Sequence, residues 1–530
     1  MESNIQPKDT DSNKVRVRIA PSPTGLLHFG NARSALFNYL FSRQNQGAFI
    51  LRIEDTDIER SKPEFEKDII DNLKWLGIDW DEGPDIDGPH GPYRQSEKIV
   101  AYRRYLEQLI NEDKAYYCFC NEEELEAQRQ YQISSGLAPR YDGKCGQIAK
   151  DEAEERIKSG EKAVIRFRVP PKKIKFDDLI RGGVEFDASL FGDLVIAKNL
   201  NSPLYNFAVV IDDYEMKITH VIRGEDHLSN TPKQILIQEA LDFPKVIYAH
   251  MALILAPDRT KMSKRFGATS VEAYREDGYL PEAFINFMAF LGWNPGNDRE
   301  IYTIPSLIKD FSIEHCHKAG AVFNIKKLDS LNGFYIRQKS LDKLVELCIP
   351  FWIKAGLINE PESDKKPETA DNVLVLQTGE KPEFIVKETN ASISWDTLEK
   401  IVAIYQERMK KLSEIPELSG MFFKDKLTYE KDLLKWQNDD DDSTKKALIY
   451  LVKILSQVED DSWSKDGLEK ILINEAASFS EIGDRGHLLW PLRVAVSGKK
   501  ASAAPFEIAA ILGKEMTIKR LNEAILLFDK

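Results

Sequence analysis

The sequence has no apolar run of about 18 residues, the length a membrane-spanning helix needs, so no such helix is expected. Cysteine is scarce: five in 530 residues, an odd number unlike the disulfide framework of a secreted protein. A reducing, cytoplasmic location is expected. The opening stretch "MESNIQPKDTDSNK" lacks the apolar segment of a signal peptide and reads as a disordered tail over residues 1–14. Positive charge is also in deficit, with 73 Lys and Arg against 86 Asp and Glu, a net charge of −13. That deficit argues against nucleic-acid binding only weakly, because phosphates meet local clusters and not the sum. No internal repeat is evident.

The 42% hydrophobic content suffices for several cores, and at about 100–200 residues per domain the chain has room for three to five. From Val15 to about Ala115, strand-like "VRVRIA" and "AFILRIE" alternate with helical patterns at 31–43 and in "EFEKDIIDNLKWLG". Such alternation predicts a parallel, Rossmann-like α/β sheet. Residues 116–200 change texture, with a charged helix in "NEEELEAQRQYQ", a turn in "RYDGKCG" and strands around 163–169 and 192–198, and read as an insertion. Sheet-like sequence resumes in "YNFAVVIDD" and "KITHVIRG", and a helix follows near 231–241. From about 340 helical patterns run to the end. Two polar stretches, "INEPESDKKPETADN" and "NDDDDSTKK", read as surface insertions or linkers. In "AVIRFRVPPKKIKF", Ile165, Phe167 and Val169 alternate with Arg166 and Arg168, and Lys172, Lys173 and Lys175 follow. This is either a solvated strand edge or a basic face for nucleic acid.

In "RIAPSPTGLLHFGNARSALF" the turn "PSPTG" delivers His28 and Gly30 to a helix start, where unpaired N–H groups suit a phosphate. A lone histidine there is ordinarily a cap or a packed residue. In this context His28 is a candidate donor to a phosphate oxygen gaining charge, and Gly30 lets a nucleotide approach the backbone. Downstream, "DRTKMSKRFGATS" crowds Lys261, Lys264 and Arg265 into one loop after the strand-like "YAHMALIL". Such a loop is either a solvated basic turn or a lid for the β- and γ-phosphates of ATP.

"PSPTGLLHFGN" and "KMSKR" together resemble the two signatures of class I aminoacyl-tRNA synthetases. The segments "RIEDTD", "PLYNFAVVIDD", "VIRGEDHLSNTP", "GGVEF", "GWNPG" and "PLRVAVSGKKASAAPFEIAAILGKE" are similar to bacterial-type glutamyl-tRNA synthetases, over nearly all of 15–530. The resemblance implies activation of L-glutamate by ATP with Mg²⁺, then transfer to the 3′ end of glutamate tRNA. It implies His28, Lys261 and Lys264 as catalytic residues. ATP would meet Pro21, Ser22, Gly25, His28, Gly30, Asn31, Lys261, Met262, Ser263, Lys264 and Arg265. Glutamate would meet Arg18, Ala20, Ser22, Glu54, Tyr205 and Arg223, which supply the cations and anion that its carboxylates and ammonium require. Each residue also has an ordinary reading: Arg18 as an outward strand residue, and Glu54, Asp55 and Asp57 as turn caps. Asp226 and His227 are expected only to support the pocket.

The implied domains are a Rossmann catalytic domain at 15–115 and 201–270, an inserted acceptor-binding domain at 116–200, a connecting domain at 271–335 and a helical anticodon-binding domain at 336–530. A glutaminyl enzyme would carry β-barrels in the last region, and the short tRNA-modifying paralogue would lack it. An unrelated nucleotidyltransferase leaves that helical region unexplained, and a dead tRNA-binding paralogue leaves the pocket charges unexplained. An enzyme that also charges glutamine tRNA stays open, the choice resting on anticodon reading near Arg408. A monomer is expected. Cys118, Cys120 and Cys145 match the spacing by which some relatives hold zinc, but the fourth position is Gln147, a poor ligand, so little zinc is expected. The "HCHK" around Cys316 reads as incidental.

Overall fold

Strand β1 (Arg16–Ile19) leads into the turn "PSPTG" and needs a parallel partner beyond it, which the chain reaches through a helical crossover. The crossover is α1 (Phe29–Gln44), and the partner is β2 (Ala48–Leu51), with Arg16 opposite Ala48 and Ile19 opposite Leu51. Then come α2 (Pro63–Trp75), α3 (Ile99–Asn111), β3 (Ala115–Cys118), α4 (Glu122–Ser134), α5 (Lys150–Lys158) and β4 (Val164–Phe167). The hairpin β5 (Lys173–Asp178) and β6 (Gly182–Asp187) precedes β7 (Leu194–Asn199) and β8 (Ser202–Pro203). The run closes with α6 (Tyr205–Glu215), β9 (His220–Gly224), α7 (Thr231–Ala240) and β10 (Ile247–Met251). The structure, a computed structural model, describes residues 14–260, 262, 269–359, 369–370, 373–374, 381–480 and 483–529.

Two compact units divide the chain, one reaching Arg275 and including Pro281–Leu328, the other made of Glu276–Leu280 and the residues from Asp329 onward. In the first unit β9 and β10 run parallel, with Arg223 opposite His250. The Thr219 N–H donates to the Arg16 carbonyl at 3.0 Å and ties β9 to β1. Helix α1 lies against β1, β2 and β9, and Phe29, Ala32, Ala35, Leu36 and Leu40 are buried there. The hairpin β5–β6 joins the other side of β10, where Asp178 pairs with Tyr248. Strands β3, β4, β7 and β8 form a separate antiparallel sheet in that order. Thus the segment expected as one insertion contributes strands to two sheets.

Three expectations are corrected. "YNFAVVIDD" is not a strand but most of helix α6, buried from Phe207 to Asp213; an unbroken apolar run does not reveal its period. Strand β4 is internal to its sheet and not an edge, and its arginines are not a free basic face. Arg166 is buried with its guanidinium 3.8 Å from the Tyr141 ring centre, and Arg168 stacks on Tyr116 and pairs with Asp113 at 3.0 Å. Lys172 pairs with Glu239, and Lys173 and Lys175 share Glu185. Finally, "NDDDDSTKK" is no linker but the start of the helix Asp441–Ser456, where Asp440 accepts the Ser443 N–H at 2.7 Å. Carboxylates suit that end of a helix.

The second unit is mainly helical, with Leu341–Lys354, Trp395–Tyr405, Lys465–Phe479, Gly486–Ser497 and Lys514–Leu526 among its helices. Small strand pairs interrupt it, Phe384–Ile385 with Ser392–Ile393 and Thr369–Ala370 with Val373–Leu374. Buried Arg520 donates to the carbonyls of Val496, Met421 and Lys424, each at 2.7 Å. Most of "INEPESDKKPETADN" and residues 1–13 lie outside the described residues. Among the described residues no helix is long and apolar enough to cross a membrane.

Candidate active site

His28 is the N-cap of α1. Its extended backbone (φ −73°, ψ 140°) turns the ring back over the first turn, and Nδ1 accepts the Gly30 N–H at 3.1 Å. With Nδ1 engaged as acceptor, the neutral ring carries its proton on Nε2 and can donate there. A Cβ on residue 30 would stand 3.2 Å from His28 Nδ1, so glycine keeps this cap uncrowded. The histidine thus caps the helix, and in that tautomer its Nε2 bears the ring N–H.

The cap opens on a cavity of about 1190 Å³ lined by the end of β1, the segment after β2 from Glu54 to Arg60, the start of α6 and the end of β9. Of the residues expected to bind glutamate, Arg18, Ala20, Ser22, Glu54, Tyr205 and Arg223 all line it. Pro21, His28, Gly30, Asn31 and Met262 line it as well, whereas Gly25 does not. Lys261, Ser263, Lys264 and Arg265 lie outside the described residues.

Beneath the cavity lies a buried charge network that sequence reading missed. Arg18 does not point outward; it is buried and grips Asp213 at 3.0 and 3.3 Å. Arg52, fully buried, bonds Asp213 at 2.7 Å and Glu54 at 3.1 Å. Asp212 receives Lys98 at 3.1 Å, Gln95 at 2.7 Å and the Tyr102 hydroxyl at 2.9 Å. Burial alone would raise Asp213, but Arg18 and Arg52 hold it below the usual carboxylate range. Burial wins at Glu54 and pushes its pKa up despite Arg52 and Arg18. The signal was the acidic pair closing "YNFAVVIDD", which becomes readable once that run is a buried helix. Asp57 does serve its own turn, accepting Arg60 Nε at 2.7 Å, whereas Asp55 reaches across the chain and accepts the Ser96 N–H at 2.8 Å.

Arg223 is 6% exposed, and its contacts are neutral. Nη2 donates to Thr231 Oγ1 at 2.9 Å and Gln234 Oε1 at 2.8 Å, and Nε to His250 Nε2 at 3.3 Å. Nη1 has a long 3.5 Å contact with Tyr205 Oη. Among the described residues no carboxylate lies within ion-pair distance of it. Tyr205 Oη also meets His227 Nδ1 at 3.0 Å, and burial lowers His227 to about 4, which keeps it neutral beside the guanidinium. A buried cation without an anion is costly, and the cavity is the place from which an anion can come.

A model described as the catalytic domain of class I tRNA synthetases (E and Q) matches residues 14–330. The chain belongs to the class I tRNA synthetases. An anticodon-binding-domain model matches residues 343–525 of the same synthetase. It is 46% identical over 515 residues to a protein named glutamate–tRNA ligase 1 from Caldicellulosiruptor saccharolyticus, covering 96% of this chain and 98% of that one. A glutamate–tRNA ligase from Carboxydothermus hydrogenoformans is 44% identical over 96% of this chain and 99% of its own. A crystal structure of a glutamate tRNA ligase from Elizabethkingia meningosepticum in complex with its amino acid superposes with a TM-score of 0.80. It is 32% identical, over 97% of this synthetase and 99% of that chain.

The synthetase also gathers Cys118, Cys120 and Cys145, whose sulfurs all lie within 4.8 Å of one another. Gln147 is exposed and takes no part; instead Tyr141 Oη sits 3.4 Å from Cys118 Sγ and 3.5 Å from Cys120 Sγ. Burial opposes ionisation of Cys118, but hydrogen bonds from Tyr141 and Arg166 outweigh it and lower its pKa. Three sulfurs and one oxygen so spaced fit the closed tetrahedral shell of structural zinc, with metal–sulfur bonds of about 2.3 Å. The sequence reading missed Tyr141, four residues before Cys145, because it sought a histidine. Around Cys316 the sulfur is buried while His315 and His317 are exposed, which separates the ring donors from the thiol.

Proposed function

We infer that this synthetase is a glutamate–tRNA ligase. It joins L-glutamate to ATP as glutamyl-adenylate with release of pyrophosphate, then passes the glutamyl group to the 3′-terminal ribose of glutamate tRNA. The observation that carries the reading is Arg223, a buried guanidinium with neutral partners beside the cavity that the α1 cap also opens on. It is suited to the side-chain carboxylate of glutamate, and a neutral amide would leave its charge unmatched. Arg18, held rigid by Asp213, and Glu54 with Tyr205 complete the amino-acid site around the remaining carboxylate and ammonium.

In the first step a glutamate α-carboxylate oxygen bonds to the α-phosphorus of ATP, and the bond from that phosphorus to the bridging oxygen of pyrophosphate breaks. His28 Nε2–H donates to the oxygens that gain charge at the five-coordinate phosphorus. Lys261 and Lys264 are assigned to the departing pyrophosphate by their motif. Mg²⁺, when bound with the triphosphate, would neutralise phosphate charge. In the second step the terminal ribose hydroxyl of tRNA attacks the activated carbonyl and AMP leaves. No protein nucleophile takes part.

The domain roles follow the family: catalysis at 15–115 and 201–270, acceptor-end binding at 116–200, connection at 271–335 and anticodon reading at 336–530. The chain acts as a cytoplasmic monomer, and its second unit, matched by the anticodon-binding model, supports tRNA as partner. Zinc held by Cys118, Cys120, Cys145 and Tyr141 is assigned a structural role in the 116–200 region. Elemental analysis should find one zinc per chain, lost together with local order in a Cys145→Ser variant; a metal-free protein of unchanged stability would remove zinc from the picture.

The deciding experiment is aminoacylation by an Arg223→Cys variant with glutamate and glutamine in competition. Removing the partner of a buried carboxylate should lower kcat/KM for glutamate by about two to four orders of magnitude and spare the relative use of glutamine. An unchanged preference for glutamate in a protein of unchanged melting would overturn the role of Arg223.

A further inference from the structure

Strand β10 places His250 directly opposite Arg223, and β5 places Asp178 on the far side of His250. His250 is 0% exposed and Asp178 3%, and neither lines the cavity. Sheet pairing among β5, β10 and β9 needs only backbone groups, and burying a carboxylate and an imidazole among them carries a desolvation cost. The geometry gives that cost a purpose.

Asp178 accepts the N–H groups of Ile180 at 3.0 Å, Arg181 at 2.8 Å and His250 at 3.1 Å, bonds that favour its ionised form. An ionised carboxylate only accepts. Asp178 Oδ2 lies 2.6 Å from His250 Nδ1, so Nδ1 carries the ring proton and Nε2 is left with a free lone pair. Two donors converge on that lone pair, Arg223 Nε–H at 3.3 Å and the Thr231 hydroxyl at 3.0 Å. The opposite tautomer would set an N–H against an arginine N–H and a lone pair against a carboxylate.

We propose that Asp178 and His250 are positioning residues that fix the orientation of the Arg223 guanidinium for the side-chain carboxylate of the substrate. Asp178 sets the tautomer of His250, and Nε2 then holds Arg223 Nε. Thr231 and Gln234 hold Nη2, and Nη1 is the edge left for the ligand. This rests on the reading of Arg223 as the residue that meets that carboxylate. It extends the selection of glutamate to two residues that never touch it.

The test is steady-state kinetics of the full-length enzyme with its tRNA, reading KM for glutamate separately from KM for ATP. In His250→Asn an amide can still face Asp178, but no atom reaches the Nε2 position; in His250→Gln a carboxamide oxygen does. His250→Asn should raise KM for glutamate about 10- to 100-fold, the loss typical of a hydrogen bond to a charged group, with KM for ATP within about twofold. His250→Gln should restore KM for glutamate to within about threefold of the parent. Asp178→Asn should match His250→Asn by reversing the tautomer, and should cost little when added to His250→Gln. If Asp178→Asn does not fold, the contrast between the two His250 variants still decides. Equal KM values for glutamate in parent and His250→Asn, or parallel rises for glutamate and ATP, would overturn the proposal while Arg223→Cys shows its loss. Should Arg223→Cys itself keep the parent KM for glutamate, the reading beneath would fail instead.

Discussion

Arg52 shows how much of the pocket is held by residues that the substrate never meets. It is fully buried and bridges Glu54 and Asp213, while Asp213 in turn fixes Arg18. Replacing it by methionine keeps much of its volume and removes the charge, leaving Asp213 and Glu54 without their shared partner. Arg52→Met should cost about 3–5 kcal/mol by chemical denaturation, the usual result of breaking a buried ion pair on one side. A loss below about 1 kcal/mol would mean that the network relaxes around the gap. That Arg18, Glu54, Tyr205 and Arg223 would gather at one cavity was legible because each sits within a short quoted signature. Their supports were not: Asp213 lies 195 residues from Arg18, Asp178 lies 72 from His250, and Tyr141, not Gln147, stands beside the cysteine cluster. Only the fold sets those distances to a hydrogen bond.

At the scale of the element, α6 and the acidic run before Ser443 were misread for opposite reasons. The first is apolar enough to be a buried strand and becomes a helix because its length and packing allow it; the second is polar enough to be a linker, yet opens a helix. Four successive aspartates, Asp439 to Asp442, are tolerated because the helix start offers unpaired N–H groups and a favourable dipole. Asp440→Ala removes the bond to the Ser443 N–H and should lower stability by about 1 kcal/mol, whereas Asp440→Ser should retain most of it. Equal denaturation midpoints for Asp440→Ala and the parent would show that solvent caps this helix as well. By contrast β1, α1, β2 and β9 were readable because short apolar segments alternate there with marked turns.

Taken whole, the molecule pairs a net charge of −13 with a polyanionic partner, and the arginines that sequence reading set aside for that partner are largely consumed internally by Tyr141, Tyr116, Asp113 and Asp193. That a catalytic part comes first and a helical anticodon-binding part second was legible because ordered motifs span the chain. The division of 116–200 between two sheets was not, because strand partners far apart in sequence decide it. The uncompensated guanidinium of Arg223 reaches beyond selectivity. Under the role proposed for Arg223, glutamate supplies the anion that this buried cation lacks among the described residues, and substrate concentration and thermal stability are linked. At a hundred times its dissociation constant, glutamate should add about 2.7 kcal/mol to the folded state and raise the melting temperature. Glutamine, with no charge to supply, should do much less, and Arg223→Cys should melt at the same temperature with either amino acid. Identical melting curves of the parent with and without saturating glutamate would break the link. On that link, the molecule that the proposed reaction consumes is also the one expected to stabilise the fold.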